Sequence, residues 1–359
     1  MTGFLKIFIL SILILTNGHA NWLTESQLKL EKVVDIKKGV IWGFTFLNKK
    51  EILFTVRRGD IYFYNLEKKV LKKLRSLDVF SHGQGGLLDI QNIPSSGRNL
   101  IYLTYSKKVK SGATTALAMA NWDGSHLKGL SDVFIANSLG TKTVHFGSRL
   151  AYDGSHLYMT IGDRGERNLS QDLLHHNGKI LKLTMDGKPA IGNPFSKPEI
   201  YSYGHRNPQG IFWDEKRKLL FSCEFGPRGG DELNIIERGH NYGWPVITYG
   251  REYYGPKIGD THKQGMRQPV FYWVPSISPS GLAVYSGSMF PEWEGDIFLA
   301  NLSSTHLRRL KFEKGKIIEQ QELYKSIGER VRFVKSGPDG KLYFSTDSGI
   351  IYSIKKQKE

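Results

Sequence analysis

The sequence predicts an all-β fold, namely a six-bladed β-propeller with four-stranded antiparallel blades. Short runs rich in β-branched and aromatic residues recur along the chain, and six of these runs share a similar pattern. Helical periodicity is scarce, since only residues 25–31 and 170–175 have a pattern that fits a short turn of helix. Recurring strands with little helix are typical of a sandwich, a barrel or a propeller.

Each strand-like run is closed by Gly, Asp or Asn, which are typical turn residues. The runs cover residues 51–55, 61–64, 100–105, 156–161, 219–223, 296–300 and 341–346. In the repeated pattern an apolar residue and Tyr or Phe precede Ser or Thr, and the leading residues are Leu53, Tyr102, Leu157, Leu219, Ile297 and Leu342.

The spacing of these leading residues favours a propeller over other all-β folds. Successive residues lie roughly 45 to 80 positions apart, which fits one blade per repeat with loops of varying length. The longest interval, from Leu219 to Ile297, predicts a long loop there. A pair of β-sandwiches would explain the strands but not the repeat.

The first 20 residues have the features of a secretory signal peptide. Lys6 provides a positive charge, residues 7–15 form an apolar run, and Ala20 is a small residue at the expected cleavage site. The run is too short to span about 30 Å of hydrocarbon. We therefore expect a periplasmic or secreted protein in which residues 21–359 form a single catalytic domain, since no Ser/Gly/Pro-rich linker divides them.

Charge and cysteine content narrow the functional class. The formal charge is +16, but the basic residues are scattered and no nucleic-acid-binding signature accompanies them, so we expect no nucleic-acid partner. Stable membrane insertion is not expected either.

The only cysteine, Cys223, lies in an apolar run, where we expect it to be a small buried side chain. A single cysteine excludes an internal disulfide and a Cys-x-x-Cys-His haem site.

Polar motifs are concentrated between Val144 and Tyr249. This segment contains His145, the turn at 162–165 (Gly-Asp-Arg-Gly), and two Gly/Pro-rich stretches at 204–210 and 226–232. Loops held by rigid strands are where a β scaffold places functional groups. A histidine base, a guanidinium beside an amide, and carboxylates after Gly/Pro-rich turns are typical of a cation-assisted redox or hydrolytic site.

Longer strings of residues resemble the soluble aldose sugar dehydrogenases that depend on pyrroloquinoline quinone (PQQ), within the wider glucose/sorbosone dehydrogenase family. The resemblance extends over nearly the whole chain after residue 20. It is strongest at 83–89 (Gly-Gln-Gly-Gly-Leu-Leu-Asp), 145–150, 162–165, 171–173, 178–179, 198–210, 226–234, 241–245 and 273–281. The resemblance implies a six-bladed propeller, in agreement with the repeat, and oxidation of an aldose at C1 to the lactone.

The resemblance implies the catalytic residues. His145 matches the base that takes the C1 hydroxyl proton while hydride leaves for PQQ, and an imidazole suits this role because its reference pKa is about 6.5. Asp163 matches the carboxylate that orients this ring. Arg206 and Asn207 match the pair that contacts the quinone oxygens, where negative charge develops. Arg206 is therefore a third catalytic candidate.

Three further residues match contacts to the cofactor. Gln84 matches a side-chain amide at the edge of PQQ, and Arg330 and Arg332 match a clamp for its carboxylates. The single residue between the two arginines places both on one face of a strand. The alternative interpretation of this pair is two solvated strand arginines.

The resemblance also implies two calcium ions, which take oxygen ligands that include backbone carbonyls. Gly226 and Pro227 match carbonyl ligands of the ion that contacts PQQ as a Lewis acid. Glu232 and Tyr242 match ligands of a second, structural ion, Tyr242 through its carbonyl. Asp231 is a candidate to assist. Ordinary turn carboxylates are the alternative interpretation of Asp231 and Glu232.

One departure from the family concerns a lysine that relatives often carry near the cofactor. Ser303 stands at this place, so a cation is missing, and His306, Arg308 and Arg309 are candidates to compensate. The aromatic pair that shapes the sugar pocket in glucose-preferring relatives cannot be assigned around residues 271–274. The sequence therefore leaves the preferred sugar and the affinity for PQQ open.

Two other functions fit part of the pattern. A calcium-dependent propeller hydrolase, such as a lactonase, would need calcium and the histidine but not Arg206, Asn207 or the two clamp arginines. A non-catalytic sugar-binding propeller would need neither His145 nor Asp163. For the dehydrogenase, the partners are an aldose substrate and an external electron acceptor, and we expect a monomer or a homodimer.

Overall fold

Six four-stranded antiparallel sheets make up the computed structural model, which describes residues 22–110, 112–138 and 140–357. Each sheet is one blade of a six-bladed β-propeller, so the predicted fold class is confirmed. The predicted signal peptide, residues 1–20, lies outside the described residues. Among those that are described, no helix is long and apolar enough to cross a membrane.

The strands are numbered in chain order. Blade 1 contains β2 (Ile41–Asn48), β3 (Glu51–Val56), β4 (Asp60–Asn65) and β5 (Val70–Ser76). Blade 2 contains β6 (Leu87–Ser95), β7 (Arg98–Val109), β8 (Gly112–Trp122) and β9 (Leu127–Ile135). Blade 3 contains β10 (Leu150–Tyr152), β11 (Leu157–Ile161), β12 (Lys179–Leu183) and β13 (Ile200–Tyr203).

The remaining blades follow in the same order. Blade 4 contains β14 (Pro208–Asp214), β15 (Leu219–Glu224), β16 (Asp231–Ile235) and β17 (Phe271–Trp273). Blade 5 contains β18 (Pro279–Val284), β19 (Ile297–Asn301), β20 (Leu307–Glu313) and β21 (Lys316–Leu323). Blade 6 contains β22 (Val331–Ser336), β23 (Leu342–Thr346), β24 (Ile350–Lys356) and β1 (Leu28–Asp35).

The ring is closed by β1, which pairs antiparallel with β24 as the outer strand of blade 6. The helical pattern predicted over residues 25–31 is wrong after Gln27. A short 3-10 helix covers Glu25–Gln27, and the following residues belong to β1. The pairing of these residues with β24, at the other end of the chain, outweighs their local helical pattern. The helical turn predicted over residues 170–175 is also wrong after Ser170, because the 3-10 helix there covers Arg167–Ser170 and residues 171–175 form turns and loop.

The repeat detected in the sequence corresponds to the second strand of each blade. The six leading residues lie on β3, β7, β11, β15, β19 and β23. These strands are covered on both faces by neighbouring blades, so their side chains are buried with little alternation. The outer strand β5, in contrast, is exposed along most of its length. Burial on both faces explains why the second strands carry the strongest apolar signal.

Clusters of buried apolar side chains lie at all six interfaces between neighbouring blades. Between blades 5 and 6, for example, Phe298 and Leu323 pack with Val334 and Phe344. Cys223 is fully buried between blades 4 and 5, as expected. The close-packed interfaces give the loops a rigid frame.

The first strands of the blades surround the central axis. Strands β2, β6, β10, β14, β18 and β22 contact one another in order around the ring. Because these strands run in the same direction, the segments that precede them meet at one face, together with the turns between second and third strands. The long loop predicted between Leu219 and Ile297 is present as residues 236–270, between β16 and β17.

Candidate active site

Most of the predicted site residues lie at this one face of the ring. Gln84, His145 and Arg206 precede the inner strands β6, β10 and β14. Asp163 and Gly226 lie in the turns that follow the second strands β11 and β15. The propeller topology therefore brings together residues that are far apart in the sequence.

His145 and Asp163 form a hydrogen-bonded pair. His145 Nδ1 lies 2.6 Å from Asp163 Oδ1, and both side chains are largely buried. Burial lowers the pKa of His145, although the hydrogen bond with Asp163 opposes this effect. Burial alone would raise the pKa of Asp163, but the hydrogen bond with His145, the charge of Arg206 and the amide of Gly165 leave that pKa below its usual value. At neutral pH the pair is therefore a neutral imidazole beside a carboxylate.

The backbone around His145 adopts conformations that L-residues rarely take. His145 has a φ of 54°, Ser148 a φ of 79° and Arg164 a φ of 57°. The turn that begins at Gly162 packs tightly against this backbone. A Cβ atom on Gly162 would lie only 2.2 Å from the carbonyl oxygen of His145. Positive φ angles at non-glycine residues are uncommon, and besides tight turns they occur at functional sites, where the surroundings hold a strained backbone.

Two more side chains hold this pair in place. Trp244 Nε1 donates a 2.8 Å hydrogen bond to Asp163 Oδ2, and the amide of Gly165 donates to Oδ1. Gln84 Oε1 accepts a 2.8 Å hydrogen bond from the backbone amide of His145. The sequence marked Gln84 as a cofactor contact but gave no sign of this supporting role. Trp244 was missed because its contact with Asp163 joins the long loop to another blade.

Arg206 and Asn207 lie next to the pair. The carbonyl of Arg206 accepts a 2.8 Å hydrogen bond from the amide of Asp163, and its guanidinium lies 5.4 Å from the ring centroid of Trp244. Both side chains are buried. Within the described part of the chain, Arg206 Nε and Asn207 Nδ2 have no hydrogen-bond partner. Buried donors without partners are unusual, and an oxygen-rich ligand would satisfy both.

Glu224 fixes the backbone that carries Arg206. Its Oε2 accepts a 2.6 Å hydrogen bond from the amide of Arg206, and its Oε1 lies 2.9 Å from His205 Nδ1. His205 Nε2 lies 2.9 Å from the hydroxyl of Ser202. This Ser-His-Glu arrangement is structural, because both ring nitrogens of His205 already have partners within the protein.

Beside Arg206 lies a small cavity of about 10 Å³, close to the space that one water-sized occupant takes. Its walls include Glu224 and three predicted metal ligands, Gly226, Glu232 and Tyr242. Burial and the charge of Glu224 raise the pKa of Glu232 to about 8. Two carboxylates in so small a space favour a bound cation.

Side chains alone do not form a metal centre here. No group of three or more His, Cys, Asp or Glu side chains that could hold a metal occurs in the described ranges. Asp231 is occupied, since it accepts hydrogen bonds from the amide of Gly226, the hydroxyl of Ser276 and the amides of residues 277–278. Asp231 thus fixes the turn that carries Gly226. A cation at this place would depend on Glu232 and on carbonyl oxygens.

Arg330 and Arg332 both bind the carboxylate of Asp347. Arg332 donates through Nε and Nη2 at 2.8 Å, and Arg330 donates through Nε at 2.9 Å. Burial, together with the charge of Arg332, lowers the pKa of the nearby Arg57. Three guanidinium groups around one carboxylate leave a positive cluster, which favours an anionic ligand. The sequence predicted the shared face of the two arginines but neither Asp347 nor Arg57.

The residues considered as replacements for the missing lysine are engaged elsewhere. Arg308 forms an ion pair with Glu322 at 2.7 Å, and Arg309 forms one with Asp296 at 2.6 Å. His306 is fully buried. None of these three residues is therefore free to replace the missing lysine.

The fold and the site define the class of protein, a six-bladed propeller with a histidine–carboxylate pair beside a buried guanidinium. A sequence model described as Glucose / Sorbosone dehydrogenase matches residues 39–353, and the chain belongs to this family. The aldose sugar dehydrogenase YliI of Escherichia coli K12 is 35% identical over 357 residues, which cover 95% of each chain. The uncharacterized protein slr1608 of Synechocystis is 36% identical over 335 residues, 85% of this chain and 81% of the relative.

Solved structures of sugar dehydrogenases are also similar to this chain. The apo-form of the soluble aldose sugar dehydrogenase of E. coli matches with a TM-score of 0.87 and 34% identity, covering 92% of this chain and 100% of that chain. The PQQ-bound form of the aldose sugar dehydrogenase of Streptomyces coelicolor matches with a TM-score of 0.76 and 28% identity, covering 92% and 99%. The predicted family is confirmed, and the chain is an oxidoreductase of the sugar dehydrogenase type.

Proposed function

We propose that the protein is a PQQ-dependent aldose dehydrogenase that oxidises the C1 hydroxyl of an aldose to the lactone with the help of calcium. The observation that carries this proposal is the His145–Asp163 pair, held in a strained loop beside the unpartnered donors of Arg206 and Asn207. Membership of the sugar dehydrogenase family and the PQQ-bound relative from Streptomyces support it.

The pair provides a base for the sugar hydroxyl. When Asp163 accepts the hydrogen of His145 Nδ1, the lone pair of Nε2 is left to take the proton of the C1 hydroxyl. The imidazolium that forms is stabilised by the adjacent carboxylate. Gln84 holds the backbone of His145 in position, and we place its side-chain amide at the edge of the cofactor. A base of this kind contributes roughly 10²- to 10⁴-fold to the rate.

Other residues fit an acidic quinone cofactor. PQQ, when bound, supplies the two-electron acceptor for the hydride that leaves C1. The free donors of Arg206 and Asn207 would contact its quinone oxygens, where preorganised donors stabilise developing negative charge. The positive cluster of Arg57, Arg330 and Arg332 would hold its carboxylates.

Glu232 and the carbonyl of Tyr242 are the proposed ligands of a structural calcium ion, at the small cavity they share. The carbonyls of Gly226 and Pro227 are the proposed ligands of the ion that contacts the cofactor, where calcium would act as a Lewis acid. A divalent ion would also neutralise the repulsion between Glu224 and Glu232, which is the physical reason to expect one here.

We further propose that the protein is exported to the periplasm or beyond, because residues 1–20 have the pattern of a signal peptide. Since Cys223 is the only cysteine, no covalently attached haem takes up the electrons in this chain. They pass to an external acceptor, for which a reducible dye can substitute in an assay.

The experiment that tests the proposal is reconstitution. Purified apoprotein is mixed with PQQ and calcium chloride, and dye reduction is followed with several aldoses. We expect activity that saturates with PQQ, needs calcium and is absent without a sugar. A parallel assay measures hydrolysis of an aldonolactone with calcium alone. Lactone hydrolysis without sugar oxidation would make the protein a hydrolase instead.

A further inference from the structure

A second cavity lies on the axis of the ring, on the other side of Arg149 from the candidate active site. Arg149 is fully buried. Its guanidinium forms hydrogen bonds with the inner strands of all five other blades. Its partners are the carbonyls of Trp42, Gln209, Ser280 and Arg332 and the carboxylate of Asp89. Arg149 therefore closes the axis and separates the two faces.

The cavity has a volume of about 270 Å³. Sites for drug-sized ligands usually measure about 300–1,000 Å³, so this one suits a smaller organic molecule. Its apolar wall includes Leu150, Ala151, Ile211, Phe212, Leu282 and Phe333. A wider depression of about 420 Å³ at the same face shares Gln91 and Lys335 with the cavity and gives access to it.

Lys335 is the cation of this cavity. Its Nζ donates a 3.0 Å hydrogen bond to Gln91 Oε1, and no carboxylate of the described chain forms an ion pair with it. The neighbouring buried cations differ, since Arg149 is paired with Asp89 and Arg332 with Asp347. Burial lowers the pKa of Lys335 to about 8. The Lys335 ammonium carries three donors and its one described hydrogen-bond partner is a neutral amide, so donors remain for an anion.

We propose that this cavity is a binding site for a small monocarboxylate with an apolar body. The carboxylate would accept hydrogen bonds from Lys335, and the body would lie against Ile211, Leu282 and Phe333. One ammonium matches one negative charge, which disfavours polyanions. The apolar wall offers few partners for the hydroxyls of a sugar. The site shares no residue with the sugar-oxidising site, so its occupancy does not depend on PQQ or calcium.

Isothermal titration calorimetry of the full-length mature protein with benzoate tests this proposal. Benzyl alcohol keeps the apolar body without the charge, and acetate keeps the charge without the body. We expect benzoate to bind saturably and both analogues to bind roughly ten-fold or more weakly. Lys335→Met is expected to lose benzoate affinity by roughly the same factor. Lys72→Met, at an exposed lysine of blade 1, is the matched control and should bind like the original protein.

The positive cluster of Arg57, Arg330 and Arg332 also favours anions, so the titration is repeated with Arg330→Gln, whose side chain is largely exposed. A preference for benzoate over benzyl alcohol that persists in this variant belongs to the Lys335 cavity, and it decides the question even if Lys335→Met folds poorly. Trp213 lines the cavity and is one of seven tryptophans, so fluorescence quenching by benzoate that is lost in Trp213→Phe gives an independent signal for occupancy at this place. Equal affinity for benzoate and benzyl alcohol, unchanged benzoate binding in a folded Lys335→Met protein, or no saturable binding would each contradict the proposal.

Discussion

Trp244 donates a 2.8 Å hydrogen bond from its indole to Oδ2 of Asp163, the carboxylate whose Oδ1 lies 2.6 Å from His145. Trp244 belongs to the loop between β16 and β17 of blade 4, whereas Asp163 follows β11 of blade 3. The contact therefore connects the long loop to the His145–Asp163 pair. Both oxygens of the carboxylate are engaged, which fixes its orientation toward the imidazole.

Replacing Trp244 by Phe removes this donor while keeping an aromatic ring. A buried acceptor without its partner costs about 1–3 kcal/mol, so we expect kcat to fall roughly ten-fold. The comparison is Trp213→Phe, because Trp213 donates to the exposed Glu215 and lines the second cavity, outside the candidate active site. Steady-state kinetics of the two reconstituted variants check this expectation. A Trp244→Phe enzyme as fast as Trp213→Phe would show that the indole does not support the pair.

Replacing Asp163 by Asn tests how the carboxylate acts on His145. An amide no longer holds the required tautomer, and we expect kcat to fall by up to roughly 10⁴-fold. Asp163 raises the pKa of His145 against the lowering effect of burial. Without this carboxylate the imidazole becomes protonated only at lower pH, so the acid limb of kcat/KM should move to lower pH. The pH profile of the variant measures this shift, and a limb at higher pH would contradict the assignment.

Arg149 offers a test of stability that is independent of catalysis. Its loss would leave Asp89 and several carbonyls buried without their partner, and breaking a buried ion pair in this way costs about 3–5 kcal/mol. We expect Arg149→Met to lower the free energy of unfolding by about that amount, and Arg98→Met, at an exposed position, to leave it nearly unchanged. Denaturant unfolding compares the two variants. Equal midpoints would remove the central role of Arg149.

Arg330 and Arg332 differ in burial although they share Asp347. The Arg330 side chain is 53% exposed and that of Arg332 is 7% exposed. We expect Arg330→Gln and Arg332→Gln each to weaken PQQ binding roughly ten-fold. Only Arg332→Gln should also reduce stability clearly, because exposed ion pairs contribute about 0–1 kcal/mol. PQQ titration and unfolding curves separate the two effects. Unchanged PQQ affinity in both variants would restrict the arginines to a structural role.

The fold could be predicted because its strongest signal is local. The second strands are buried on both faces, so an apolar run recurs once per blade, as at Leu157 and Leu342. The start of β1 could not be predicted in the same way. Its local pattern also fits a helix, and only pairing with β24, at the other end of the chain, makes it a strand.

The site residues, like the strands, could be predicted where the signal is local and not where it depends on contacts between distant segments. His145 and Asp163 stand close in the sequence within distinctive strings, and the structure places them in contact. Trp244, Arg57 and Asp347 were missed because they reach the site through contacts between distant segments. Arg149 belongs to residues 145–150, one of the stretches that resemble the family. Only the closed ring shows that its guanidinium contacts all the other blades.

The central claim is that His145 takes the C1 proton of an aldose beside bound PQQ. The most direct test compares the unmodified protein with His145→Ala after both are titrated with PQQ and calcium to the same end-point. We expect equal uptake of PQQ but sugar oxidation that is slower by roughly 10²- to 10⁴-fold in the variant. An alanine variant that binds PQQ and oxidises the aldose as fast as the unmodified protein would contradict the claim.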